Sequence, residues 1–251
     1  MSEPVISFQD FGFQYTAQAK PTLRHIHLDI YPGEKVLIAG ASGSGKSTMA
    51  SCINGLIPYS YPGKVTGKVL VDGKDVAESS VFELSHTVGT VLQDTDGQFI
   101  GLTVAEDIAF ALENECVPQD EMKEIVDKVA KLVDIDHHLG YAPHELSGGQ
   151  KQRVSLAGVM VDEVKVLLFD EPLANLDPAA GRTTIELIDE IQEKTGAAVI
   201  IIEHRLEDVL WRDVDRIILV SEGTILADLH PDELLATDLL ADNGIREPLY
   251  L

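Results

Sequence analysis

KVLIAGASGSGKS, residues 35–47, runs from a short apolar stretch into a glycine-rich turn and ends on a lysine and a serine. KVLIA has the length and composition of a buried strand, and residues 46–55 read as the one clear helix in the first ninety residues. A strand that breaks into Gly40-Ala41-Ser42-Gly43-Ser44-Gly45-Lys46-Ser47 and reopens as a helix fits the GxxxxGK[ST] pattern in the context that pattern requires. The residue types have a chemical reason. Glycines let successive backbone N–H groups turn towards phosphate oxygens, Lys46 can reach the terminal phosphates, and the Ser47 hydroxyl can ligate Mg²⁺. The whole segment from Gly40 to Thr48, with Ser42 and Ser44 inside it, is therefore a candidate phosphate cradle.

Outward from this segment, VISFQDFGFQY, RHIHLDI, KVLVDG and TVGTVLQ read as further strands separated by Gly, Pro and charged turns. From Thr103 the spacing becomes helical: Val104, Ile108, Ala111 and Leu112, then Met122, Ile125, Val126, Val129 and Leu132, with Pro118 just ahead of the second set. Beyond residue 162 strand and helix alternate through VKVLLFD, residues 178–194, AAVIIIE, residues 206–211 and DRIILV. Continuous apolar strands in such alternation indicate a parallel sheet covered on both faces. SEGTILADL reads as a hairpin return and PDELLATDLLAD as a last short helix. The expected organisation is one domain over residues 1–251 with a helical insert at about 101–162.

The strand VLLF ends on Asp170 and Glu171. Asp170 can hold the shell of a bound Mg²⁺, and Glu171 can polarise an attacking water.

Residues 146–150 read Leu-Ser-Gly-Gly-Gln and are followed by KQRVSLA. A Ser147-Gly148-Gly149 turn opening a helix presents N–H groups and a positive dipole end to an anion, although an ordinary helix cap would look the same. This stretch matches the LSGGQ signature of ABC ATPases without a substitution, and the chain resembles that family along its length. The resemblance implies an ABC ATPase fold: an α/β P-loop NTPase core with a mostly parallel sheet, an N-terminal antiparallel β-subdomain and a helical insert. It implies ATP and Mg²⁺ as ligands. It also implies a second ATPase subunit or domain packed head to tail, each ATP lying between the cradle of one and Ser147, Gly148, Gly149 and Gln150 of the other.

Further positions follow from the resemblance. Tyr15 is similar to the aromatic that stacks on adenine, Gln93 to the glutamine that reaches Mg²⁺ or water and senses a membrane partner, and His204 to the histidine that contacts the γ-phosphate. Residues 174–177, ending in Asp177, resemble the segment that links the two sites of a dimer. Glu171, His204, Lys46 and Gln93 are thus the expected catalytic set, with Ser47, Gln93 and Asp170 at the metal. The stretch from Asp94 to Gln98, the EHRLEDV run at 203–209 and LENECVPQDEM resemble the ATPases of energy-coupling-factor importers of vitamins and metal ions, with Thr95 where a proline is usual. Such ATPases meet a transmembrane scaffold subunit through a groove beside Gln93, where Asp94 and Asp96 could face basic residues. Residues 244–251 resemble the passage that leads onward in tandem forms with two ATPase domains, so the chain is expected to be cut from such a form.

Composition excludes some classes. Lys and Arg total 19 against 42 Asp and Glu, a formal charge of −23, which repels nucleic acid and anionic lipid alike. No apolar run approaches the ~20 residues that span a bilayer, and the first residues lack the features of a signal peptide. These features suggest a chain that stays in the cytosol, and the family resemblance implies a place at the cytoplasmic face of the membrane, bound through a partner and without direct insertion. Cys52 and Cys116 have neither CxxC spacing nor suited histidines and are expected to be buried or inert. A soluble ABC ATPase acting as a clamp in translation or DNA repair is the rival from another class. Only about a hundred residues separate Lys46 from Ser147, with no long heptad arm, and the charge opposes it. A regulatory module that does not hydrolyse would be expected to lack Glu171 or His204.

Overall fold

A computed structural model of the chain describes residues 3–92, 99–174 and 176–248. Apolar residues of the first strand keep one parity through Ile6 and Phe8 and resume at Phe11 and Phe13, an odd step that a regular strand cannot absorb. A bulge takes up the extra residue. Pairing shifts register between Phe8 and Phe11, Asp10 adopts a φ of +47°, and all four side chains stay buried in one core.

In chain order the first half comprises β1 (Ile6–Tyr15), β2 (Leu23–Ile30), β3 (Lys35–Ala39), α1 (Lys46–Ile53), α2 (Leu56–Tyr59), β4 (Gly63–Val71), β5 (Lys74–Asp75), α3 (Val81–Ser85) and β6 (Val88–Val91). The second half adds α4 (Val104–Asn114), α5 (Gln119–Leu132), α6 (Gly148–Met160), β7 (Val166–Asp170), α7 (Pro178–Thr195), β8 (Ala198–Ile202), α8 (Leu206–Val209), β9 (Arg216–Ser221), β10 (Thr224–Leu229), α9 (Pro231–Leu235) and α10 (Leu239–Asp242). Strands pair antiparallel in the order β2-β1-β4-β5, and a second sheet runs β10-β9-β3-β8-β7-β6. Its strands β9, β3, β8, β7 and β6 are parallel and β10 returns antiparallel, as the hairpin reading of that stretch expected.

Both faces of the parallel sheet are buried, and successive residues feed different cores. Val36 and Ile38 of β3, with Val166, Leu168, Ile200 and Ile202, pack with α1 and the antiparallel sheet. Leu37, Ala39, Leu167, Phe169, Val199 and Ile201 pack with the helices on the other side. That division explains the unbroken apolar runs KVLIA, VLLF and AVIII.

The helical insert is α4, α5 and α6. Thr103 and Glu106 cap α4 reciprocally, and Pro118 precedes α5, as its placement in the sequence suggests. At the insert's junction with the core, His86 Nδ1 lies 3.3 Å from Glu115 and 3.8 Å from Asp162. Burial, and then the neighbouring Glu115, hold the Asp162 carboxyl above the usual carboxylate range. Among the described residues, no helix is long and apolar enough to cross a membrane.

Two readings of the sequence need correction. Residues 231–242 form α9 and α10 rather than one helix, because Ala236, Thr237 and Asp238 break it and the Thr237 hydroxyl bonds back to Leu234 O at 2.6 Å. Residues 46–55 do not hold the one helix of the first ninety residues, since the short helices α2 and α3 follow α1. Of the two cysteines, Cys52 is buried and burial pushes its thiol well up, and Cys116 is exposed just past α4.

Candidate active site

Three parallel strands, β3, β7 and β8, deliver the candidate residues at their carboxyl ends, the edge where parallel α/β sheets bind ligands. Beyond β3 the chain turns through Gly40 to Gly45 and enters α1. Gly40 is packed too tightly for any side chain. A Cβ there would stand 2.3 Å from Val220 O and 2.7 Å from Ser44 Oγ. Gly45, the N-cap of α1, has a φ of +112°, a conformation that residues with a Cβ rarely adopt. Gly40→Ala is accordingly expected to cost about 1–3 kcal/mol through forced displacement of the loop, read by denaturant unfolding.

No side chain caps α1, and its first turn carries no acidic residue. Its first-turn N–H groups therefore have no side-chain partner and the dipole faces an open loop. Ser42 and Gly43 are exposed there, and the space in front of Gly43 is clear to 4 Å. Among the described residues, Ser44 Oγ is buried without a hydrogen-bond partner. These features fit an anion in the loop.

Lys46 is 5% exposed, and its ammonium donates to Gly40 O at 2.8 Å and Ala41 O at 3.0 Å. Burial lowers its pKa, opposed by the charges of Glu171, Asp170 and Glu203. Ser47 Oγ donates to Asp170 Oδ1 at 3.4 Å. Burial holds the Asp170 carboxyl above the usual range, and Glu171 beside it pushes the same way, while Ser47 and Lys46 pull it down. Three carboxylates crowd around one ammonium, so oxygen ligands and charge suit a divalent cation at Ser47 and Asp170.

Glu171 leaves β7 with a φ of +52°, held there by its own N–H donating to Ile202 O at 2.8 Å. Left-handed backbone in a residue other than glycine is uncommon and stores strain. Its Oε1 lies 2.8 Å from His204 Nε2. Tyr15, at the end of β1, is half-buried, touches Thr48 Oγ1 at 3.2 Å and stands edge-on to Phe13 and Tyr61. The structure thus gathers Gly40 to Thr48, Tyr15, Asp170, Glu171 and His204.

Ser147, Gly148, Gly149 and Gln150 open α6 in the helical insert, where Ser147 and Gln150 bond to each other through their side chains and the Gln150 side chain also meets His138. The helix cap that could equally explain this segment is present: Ser147 and Gln150 form a capping box. Asp177 is the N-cap of α7, its Oδ1 accepting from Ala179 N at 2.9 Å and Ala180 N at 3.0 Å. Gln93, with Asp94, Thr95 and Asp96, lies outside the described residues, as does Asn175.

Residues flanking His204 belong to the site without having been singled out for it. Glu203 is 2% exposed, and its carboxylate accepts from Leu173 N, His204 N and Arg205 N at 3.1, 2.7 and 3.2 Å. Arg205 Nη1 donates to Leu173 O at 3.0 Å and Leu176 O at 3.1 Å. From α6, the Gln152 side chain donates to Pro172 O. The loop after Glu171 is thereby fastened to β8 and to the insert. A carboxylate directly after the apolar run AVIII was the available signal for Glu203.

Comparison with known proteins supplies the family. A family model described as ABC transporter matches residues 23–174. A relative from Enterococcus faecalis named as an ABC transporter ATP-binding protein is 62% identical over 251 residues, covering 100% of this chain, and a similarly named one from Clostridium perfringens is 64% identical over 247 residues, covering 98%. The chain spans 44% of the length of each of these two. The solved structure of cbiO1 from Clostridium perfringens, described as part of the ABC transporter complex cbiONQ, superposes with a TM-score of 0.85 at 31% identity, covering 98% of this chain and 96% of that one. With more than half of its residues inside the family model and a matching fold throughout, the chain belongs to the ABC transporter ATP-binding family.

Proposed function

We propose that this chain binds ATP with Mg²⁺ and hydrolyses it at an interface between two such domains, energising a membrane transporter of the energy-coupling-factor type. The observation that carries the reading is the convergence of Lys46, Asp170, Glu171 and His204 on an uncapped α1 at one edge of the sheet. Residues 1–251 act as one nucleotide-binding unit, with the insert at about 101–162 moving as its arm.

Phosphates sit on the N–H groups of residues 40–48 and on Lys46, and Tyr15 takes the adenine. Ser47, Asp170 and Gln93 hold Mg²⁺, which supplies positive charge to the phosphoryl oxygens when bound. Glu171 orients the attacking water, and His204, bonded to it, adds charge stabilisation as phosphoryl transfer proceeds. Among the described residues, the Ser147–Gly149 segment shares no hydrogen bond with residues 40–48, which suits a second phosphate-binding device meeting the ATP of a partner. Asp177, already capping α7, sits where residues 174–177 would meet that partner. Relatives more than twice this length leave room for a second unit of the same size, so the partner is either another chain or another domain.

A transmembrane scaffold subunit at the cytoplasmic face is the other proposed partner, with Gln93 as the residue that would sense it. The likeness to a component of a cbiONQ transporter complex supports that placement. Import of a vitamin or metal ion is the finer reading, supported by the resemblance of the runs at 94–98 and 203–209 to the ATPases of energy-coupling-factor importers. A net charge of −23 makes two copies repel, so nucleotide and cation must help to close the interface.

The test is the ATPase rate of the purified chain against its concentration with Mg²⁺. A rate that climbs faster than linearly supports hydrolysis at a self-assembled interface. Nucleotide binding without turnover at any concentration would place the complementary half-site on another chain or domain.

A further inference from the structure

We propose that His138 is a positioning residue for the signature segment: its Nε2 accepts a hydrogen bond from the Gln150 side-chain amide and so fixes the capping box that presents Ser147. The inference rests on the reading above of Ser147, Gly148 and Gly149 as half of an ATP site.

Donor and acceptor balance decides the arrangement. Gln150 Oε1 accepts the Ser147 N–H at 2.8 Å, and the Gln150 N–H donates to Ser147 Oγ at 3.4 Å. With its oxygen committed, the side chain has only the NH₂ end left, which can donate and not accept. That end meets His138 Nε2 at 3.0 Å. Two donors cannot face each other, so Nε2 carries the lone pair and the imidazole proton sits on Nδ1. Nδ1 is buried and, among the described residues, has no hydrogen-bond partner. An unpaired buried donor is a cost, and keeping Nε2 as acceptor towards Gln150 is what the cost maintains.

The surroundings hold the ring in place. His138 N–H donates to Ile135 O, and Tyr141 N–H donates to His138 O, both at 2.9 Å. The ring leans on Tyr141 with centroids 5.1 Å apart. The same turn is tied to the start of α4 by Val104 N–H to Tyr141 O and Ala105 N–H to Leu139 O. On the far side, Arg153 Nη1 donates to Val133 O at 2.6 Å, fastening α6 to the end of α5. Among the described residues of this frame, His138 is the one whose side chain bonds to the signature. The adjacent His137, with its side chain 87% exposed, shows that the turn does not by itself bury an imidazole.

The experiment compares His138→Leu, which fills space without an acceptor, with His138→Gln, whose Oε1 can replace Nε2. Deuterium uptake by the backbone amides of residues 147–151 in the nucleotide-free chain reads the brace without any partner. The Leu variant is expected to exchange about tenfold faster there and the Gln variant within about threefold of wild type, as losing a cap predicts. At saturating ATP and Mg²⁺, kcat is expected to fall about tenfold in the Leu variant and recover with Gln, while KM stays unchanged because the ATP is held by residues 40–48. Adding His138→Leu to Gln150→Ala should cost nothing further.

Unaltered exchange in the Leu variant, or equal losses for Leu and Gln, overturns the proposal. So does faster exchange with unchanged turnover. A Glu171→Gln control that hydrolyses at the wild-type rate would instead condemn the reading of the site, and the exchange result would stand by itself.

Discussion

Glu171→Gln is expected to lower steady-state ATP turnover by about a thousandfold while leaving ATP affinity within a few-fold of wild type, the scale on which a positioned base acts. The substitution is close to isosteric, so the left-handed turn at φ +52° and the backbone bond to Ile202 O should survive it. What disappears is a carboxylate able to take a proton and to hold a water, together with one of the negative charges around Lys46 and Asp170. Loss of that charge relieves Asp170, whose carboxyl Glu171 pushes upward, and leaves the metal ligands in place. Nucleotide should therefore bind and the two-domain closed state should persist, because the event that opens it is blocked. Phosphate release measured alongside nucleotide binding and sedimentation checks all three parts. Turnover at the wild-type rate would remove Glu171 from its role and throw the water onto His204 or another group.

How much of this was legible depended on how local each signal is. The cradle at 40–48 and the strand end at Asp170 and Glu171 are contiguous in sequence, and their chemistry is carried by residue type and spacing, so both could be read directly. The bulge at Asp10 was not visible in the strand reading, although the parity break between Phe8 and Phe11 announces it once the burial pattern is known. PDELLATDLLAD misled because its apolar residues keep helical spacing while Thr237 bonds locally. Glu203, Arg205 and Gln152 matter through bonds to backbone groups 20 to 32 residues away, and no periodicity encodes a partner at that distance. His138 is the same case in miniature: two adjacent histidines look alike in sequence, and only the fold puts one of them against Gln150. The cradle and the signature are each readable alone. Their lodging in separate neighbourhoods, which motivates a partner, is a property of the fold.

Lys46→Ala is expected to weaken ATP binding by about a hundredfold or more, the cost of deleting one member of a desolvated charge contact. Lys46 is 5% exposed, and its ammonium rests on Gly40 O and Ala41 O, both within the loop that would receive the phosphates. Burial lowers its pKa, and the charges of Glu171, Asp170 and Glu203 oppose that and favour the charged form. Deleting it leaves those carboxylates without their cation, so an incoming polyanion would meet uncompensated negative charge as well as a missing donor. Packing contributes to any loss as well, because Lys46 is buried at the start of α1. Lys46→Met separates the two, since it keeps most of the stem and removes the charge. Calorimetric titration with ATP and Mg²⁺ should find the two variants equally impaired. An affinity lost in the alanine variant and kept in the methionine one would mean that the stem shapes the loop and that phosphate is held by backbone N–H groups alone; wild-type affinity in both would move the phosphates off residues 40–48 altogether.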